Sequence, residues 1–204
     1  METLDAYLTR LASSSPAPGG GSAATIVAAT GAALVAMVAR ISATRPAARA
    51  FREEIDEIVG RADDLRSTLL AAAQDDERAF ERVVDSTALP KSDPARTEAV
   101  QRALEAAAQA PLGAIAVALD VQRAAVALLQ FSGRHLISDL GCAAEFAGAA
   151  VAASAYNVRV NHRSMRDASI VERQSLELSA YERESQALLQ DVRDAVARAL
   201  ARES

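Results

Sequence analysis

Leu65, Leu69, Ala72, Asp76, Phe80 and Val83 recur at steps of three and four and form one helical stripe. Asp76 therefore falls on a face that should be buried, while Asp75 and Glu77 point about 100° to either side. A carboxylate on such a face is costly unless paired or hydrogen-bonded. It reads either as a structural cap or ion pair, or as a proton-transfer group or counter-ion with a shifted pKa. A second seam repeats the theme: Asp139, Ala143, Phe146, Ala150, Ser154, Asn157 and Asn161 lie close to one line. Asp139 in a first turn is also what the helix dipole favours. Asn157 and Asn161, one turn apart, are poor interior helix residues but both donate and accept hydrogen bonds. They suit a flat heterocycle with amide-like edges.

The third candidate is the stretch 13–22, Ser-Ser-Ser-Pro-Ala-Pro-Gly-Gly-Gly-Ser. Pro16 and Pro18 fix φ, and three successive glycines admit backbone conformations closed to other residues. Ser22 stands where an N-cap belongs, ahead of an uncharged run. A glycine-lined turn opening a helix presents free N–H groups and a partial positive charge, so Pro18, Gly19, Gly20, Gly21 and Ser22 are candidates to receive an anion. Close helix packing explains the same glycines. The stretch is neither a Walker A loop nor GxGxxG. His135 sits in a connector and His162 at a helix end, with no partner at ligand spacing, so no metal site is expected. No hydroxyl sits in a recognisable nucleophile motif. Arg96, Arg102 and Arg123 read as solvated.

These side chains need helices to carry them. A short helix is predicted over 3–11, with Leu4, Leu8 and Leu11 at helical spacing. The uncharged helix opened by Ser22 should end near 41–44, because Pro46 disfavours helix before it. A long amphipathic helix follows over 47–85. Asp93 should cap and Pro94 open the next, which runs to about 130 with Pro111 kinking or dividing it. Ser138 should cap a second nearly uncharged helix to about 160, and a polar helix over 167–202 closes the chain. Two helices apolar all round must be buried. They are expected to lie within a soluble assembly rather than a membrane, and partly against a second copy in a homodimer.

Composition agrees with that architecture. Of 204 residues, 50% are hydrophobic but only 3% aromatic, and alanine dominates, so strand signals are scarce. The class is all-α, a multi-helix bundle read as one domain over 1–204. The net charge of −5 and the lack of a basic, aromatic-laced cluster argue against a nucleic-acid partner. The single Cys142 excludes an internal disulfide and reads as a small core residue. The N-terminus lacks a signal-peptide pattern, so a cytoplasmic location is expected.

Several segments, taken together and in order, resemble the cyclodeaminase/cyclohydrolase family. They are Ser-Pro-Ala-Pro-Gly-Gly-Gly-Ser22 with its apolar helix, the Asp76-Glu-Arg-Ala-Phe80 segment, Leu89-Pro-Lys91, the Ser138-Asp139 pair and Asn157-Val-Arg-Val-Asn161. The family comprises the cyclodeaminase half of formiminotransferase-cyclodeaminase and bacterial methenyltetrahydrofolate cyclohydrolases. The resemblance implies an all-helical homodimer acting on a one-carbon tetrahydrofolate without metal or redox cofactor. Asp76 matches the acid assigned to cyclodeaminase activity. Under this reading Asp139 is a second acid/base or orienting group, and Ser138, Asn157 and Asn161 fix the pterin. The glycine turn, aided by Arg45, receives the anionic tail or lines the pocket. Two segments depart from the family: Arg40-Ile-Ser-Ala-Thr-Arg-Pro46, which lacks a glycine, tandem basic pair and aromatic, and Gly133-Arg-His135, with His at an Asn position. The reading expected first is a cyclohydrolase converting 5,10-methenyltetrahydrofolate to 10-formyltetrahydrofolate; the alternatives are a cyclodeaminase that releases ammonia and a non-catalytic folate-binding or interaction protein.

Overall fold

The structure, a computed structural model, describes residues 2–201 and contains six α-helices, with no strand among these residues. They are α1 (Leu4–Leu11), α2 (Gly20–Ala43), α3 (Arg52–Ala88), α4 (Arg96–Leu128), α5 (Ile137–His162) and α6 (Ala168–Leu200). Short 3₁₀ segments, Pro46–Phe51 and Arg134–Leu136, precede α3 and α5.

Two helix starts follow directly from side-chain caps. Thr3 Oγ1 accepts from the Ala6 amide at 3.2 Å, and Asp167 Oδ1 accepts from Ser169 and Ile170. Other starts shift. The first turn expected for α3 is the 3₁₀ segment, where Phe51 packs on Phe131 with ring centroids 5.4 Å apart. Asp93 accepts from the Ala95 amide, but α4 begins at Arg96, so Pro94 lies outside it. Helix α5 begins at Ile137, one residue before the expected cap Ser138. The expected end of α6 at 202 lies outside the described residues.

Helix α4 is the centre of the bundle, packed on α2, α3, α5 and α6. That corrects the expectation of two buried helices: α4 contributes more buried residues than α2 or α5. Nor does Pro111 divide α4, which is continuous with Pro111 buried inside it. Proline removes one N–H and so leaves the carbonyl one turn earlier, on Ala107, without its helical donor. The Asn161 side chain fills that role, donating from Nδ2 to Ala107 O at 3.0 Å.

Helices α2 and α5 run antiparallel in close contact. Gly20 lies beside Asn157, Gly31 beside Ala143 and Phe146, and Arg45 beside Gly133. A methyl group on Gly31 would stand 2.8 Å from the Ala143 carbonyl oxygen, so this crossing requires glycine. One face of the pair stays open. Val27, Met37 and Ile41 on α2 and Phe146, Tyr156 and Val160 on α5 are exposed. Cys142 is exposed on this face as well, not in the core, because α5 turns it away from α4. By length and composition alone, Gly20–Ala43, Arg96–Leu128 and Arg134–His162 are apolar enough to cross a membrane. The bundle buries 61% of the apolar window of the first two and 39% of the third.

Gly31→Ala is expected to lower unfolding free energy by about 1–3 kcal/mol through overpacking at the α2–α5 crossing, read as a lower midpoint in urea denaturation.

Candidate active site

The helix α2 begins three residues earlier than expected. Gly19 is its N-cap and Gly20 its first residue, while Ser22 lies fully buried inside the first turn. No glycine in the chain has positive φ, so the triple glycine does not serve an unusual turn. Its purpose is space. A methyl group on Gly21 would stand 2.3 Å from Asp76 Oδ1 and 2.6 Å from its Cγ. Gly20 lies beside the Asn157 carboxamide, where a methyl group would make only ordinary contact at 3.9 Å, so Gly21 is the position that requires glycine. The positive end of α2 is thus occupied by an anion of the protein itself, the Asp76 carboxylate.

Asp76 is held there from α3. Burial is the largest influence on it and raises its pKa above the ordinary carboxylate value. The Ser22 backbone N–H opposes that shift, and the negative charge of Glu77 adds to it. Glu77 belongs to the same cluster although it stands beside the apolar stripe. The Ser22 hydroxyl donates to Glu77 Oε1 at 3.1 Å. With that proton committed, the contact of 3.0 Å between Tyr7 Oη and Ser22 Oγ is a bond donated by the tyrosine. Arg10 pairs with Glu77 at 3.1 Å and with Glu2 at 2.9 Å. Burial raises the pKa of Tyr7 and keeps its hydroxyl protonated.

From α5, Asn161 Nδ2 donates both to Ala107 O and to Asn157 O, the latter at 2.8 Å. Asn157 Nδ2 donates to Ala153 O at 3.1 Å. Both amide nitrogens face main-chain carbonyls, which assigns the two side-chain oxygens as the ends left to accept.

These groups meet around a cavity of about 430 Å³ at one end of the bundle. Its walls include Gly19, Gly20 and Gly21, Asp76, Glu77 and Phe80 from α3, Leu104 and Ala107 from α4, and Asn157 and Asn161 from α5. Among the described residues, Asp76 and Glu77 are its only charged lining groups, and no basic residue lines it. A cavity with that balance attracts a cation. Phe80 adds an apolar ring face, 39% exposed.

Of the residues singled out from sequence, Gly19, Gly20, Gly21, Asp76, Asn157 and Asn161 line this cavity. Pro18 and Ser22 are buried behind its wall. Arg45, Ser138 and Asp139 do not join them. Asp139 is 18 residues before Asn157 on α5, roughly 27 Å at the helical rise, and Arg45 lies at the same far end, donating to Phe131 O. Within one protomer, then, Asp139 is not a second acid for Asp76, and Arg45 does not reach the glycine turn. Sequence reasoning missed Tyr7, Arg10 and Glu77. Their contacts join residues far apart in the chain, and the one available signal is an aromatic residue amid the leucines of α1.

Comparison with known proteins decides the family. Residues 3–180 match the family described as formiminotransferase-cyclodeaminase. The chain belongs to the formiminotransferase-cyclodeaminase family. It is 33% identical to a methenyltetrahydrofolate cyclohydrolase of Methylorubrum extorquens over 96% of both chains. It is 30% identical to the formimidoyltransferase-cyclodeaminase of Rattus norvegicus over 81% of this chain, spanning only 31% of that longer protein. In structure it resembles the formiminotetrahydrofolate cyclodeaminase of Thermotoga maritima, with a TM-score of 0.91 and 27% identity over 98% of both chains. Among the described residues of this family member, no group of three or more His, Cys, Asp or Glu stands placed to hold a metal ion.

Asp76→Asn is expected to stabilise the fold near neutral pH. A carboxyl whose pKa is raised on folding favours the folded state while protonated and loses that contribution as pH rises through its folded pKa. The gain in Tm should therefore be largest near neutral pH and fade on acidification, as read from melting curves across pH.

Proposed function

We propose that this protein hydrolyses 5,10-methenyltetrahydrofolate to 10-formyltetrahydrofolate, with no resident cofactor, in the cavity around Asp76. The observation that carries this reading is charge: among the described residues the cavity's ionisable lining groups are two adjacent carboxylates, and the methenyl substrate carries an amidinium-like cation. The similarity to a methenyltetrahydrofolate cyclohydrolase along nearly the whole of both chains supports it. A cavity of about 430 Å³ is within the usual range for small-molecule sites and suits a pterin rather than a whole folate.

Water adds to the bridging carbon, and the π pair of the C=N bond moves to nitrogen. The resulting carbinolamine then collapses: the hydroxyl oxygen forms a carbonyl, and one C–N bond breaks with its pair going to the ring nitrogen. Asp76 is placed to act in both steps. Its carboxylate faces the cation at a poorly hydrated wall, where attraction is stronger than in water. In the collapse it takes the hydroxyl proton and hands it to the departing nitrogen. A raised pKa suits a carboxylate that must hold a proton briefly. Asn157 and Asn161 offer oxygen acceptors to the N–H edge of a pterin, and Phe80 offers its ring to the pterin face.

A second reading is favoured by the structural likeness to a formiminotetrahydrofolate cyclodeaminase. A formimino group is also a cationic amidine when protonated, so the same two carboxylates suit ring closure with release of ammonia.

The open face of α2 and α5 belongs to the same reading as a homodimer contact. Its exposed apolar side chains gather on one face, the kind of surface that marks a contact site. A second copy of the chain fits it better than lipid. Glu145 and Arg159, on the margins of α5, are ion-paired with Arg193 and Glu182 of α6, and such pairs are costly within hydrocarbon.

Methenyltetrahydrofolate absorbance should fall well above its spontaneous rate with purified protein, and Asp76→Asn should lower kcat by at least about 100-fold. An unaccelerated decay would reject the hydrolase, and ammonia release from the formimino substrate would then establish the second reading. Sedimentation should show a dimer that Phe146→Glu converts to monomer; a monomeric parent protein would reject the dimer.

A further inference from the structure

Asp76 alone leaves the hydrolysis incomplete. Addition of water releases one proton, and collapse moves another from oxygen to nitrogen. One carboxylate serves the second transfer, but the first needs another acceptor on the cavity wall. Asp139, the acid that sequence suggested, stands at the far end of α5. Among the lining residues there is one further group able to take a proton.

We infer that Glu77 is the general base that takes the proton of the attacking water, held for this by Arg10, Ser22 and Tyr7. The inference rests on the hydrolase reading above. Glu77 lines the cavity beside Asp76, and it also forms a wall of a separate hollow of about 400 Å³ between α1, α2 and α3. Its carboxylate therefore stands between the reaction space and a second opening. Both of its oxygens have assigned partners: Oε1 accepts from Ser22, and Oε2 pairs with Arg10.

The charged and titratable groups around it come from two elements. Helix α1 supplies Arg10, with Glu2 on the far side of that guanidinium, and Tyr7 through the Ser22 hydroxyl. Helix α3 supplies Asp76 and, around a third hollow that Glu77 also lines, Glu81 and Asp85. Helix α2 places only the Ser22 hydroxyl against it, and α5 brings the two uncharged asparagines to the cavity. Arg10 sets a positive charge directly against Glu77, whereas Asp76 has no cation beside it and its pKa is raised by burial. Two neighbouring carboxyls in unlike surroundings are suited to unlike tasks.

The step balances. Water forms the new C–O bond at the bridging carbon, the C=N π pair goes to nitrogen, and the water's first proton goes to Glu77. Asp76 carries the hydroxyl proton to the departing ring nitrogen. Glu77 then loses its proton to bulk water through the outer opening. The sum is one water consumed and one proton released per cationic substrate.

The test compares parent protein, Glu77→Gln and Glu77→Ala in the methenyltetrahydrofolate assay, with circular dichroism as the check on folding. Glu77→Gln should lower kcat by about 10²–10⁴-fold with KM little changed. Glu77→Ala should fall as far and regain activity with added formate, but not with chloride at equal ionic strength. If Glu77→Gln melts early because Arg10 is left unpaired, the double variant Glu77→Gln, Arg10→Met carries the same expectation. A variant with more than about a tenth of the parent kcat, or a Glu77→Ala protein indifferent to formate, overturns the base role. In either case an active parent leaves the hydrolase reading standing, whereas an inactive parent removes both together.

Discussion

The arrangement depends on a carboxylate packed against the first turn of a helix that has no side chain at that point. Asp76 occupies the volume a Cβ on Gly21 would take, so neither residue can be understood alone. Everything around the pair keeps that contact intact. Helix α4, at the centre of the bundle, sets α3 and α5 on either side of the start of α2. Gly31 lets α2 and α5 approach until Asn157 comes beside Gly20. The cost of burying a charge is partly offset by the Ser22 amide, and the remainder appears as a raised pKa. For the chemistry proposed here, on a cation with a proton to move, that residual cost is useful.

Much of this was legible in the sequence, and the successes share a cause. The stripe through Leu65, Leu69 and Asp76, and the Asn157–Asn161 spacing, are local periodicities, and a helix fixes the relative position of residues three and four apart. The helix starts predicted near Thr3 and Asp167 are local in the same way. The glycine stretch was legible as special but for the wrong reason. Flexibility and steric room favour the same residue, and only the neighbour across the gap tells them apart. Asp139 and Asp76 stand apart within one protomer for a related reason: both lie on good stripes, but a stripe does not say which end of a long helix reaches the site. Glu77 lies just off its stripe, and its partners Arg10 and Ser22 are separated from it by most of α2 and α3.

Pro111 shows how an apparent defect becomes a component. The proline predicted a kink because it deprives a carbonyl of its donor. The helix stays continuous, and the orphaned Ala107 oxygen is met by Asn161 from the neighbouring helix. That bond also settles which end of the carboxamide faces the cavity. A backbone irregularity in α4 thereby fixes the hydrogen-bonding sense of a side chain on α5.

Helix α1 is the least anchored part of this construction. Of its eight residues only Tyr7 is buried, while Leu4 and Leu8 lie more than half or half in water. Yet Tyr7 and Arg10 are the two residues that hold Ser22 and Glu77 in place. Short elements with little buried surface open independently of the rest of a fold, on a free-energy scale well below global unfolding. The competent geometry of the cavity is therefore conditional on a local docking equilibrium. Warming or mild denaturant would release this small latch, and silence the site, while the five long helices still stand.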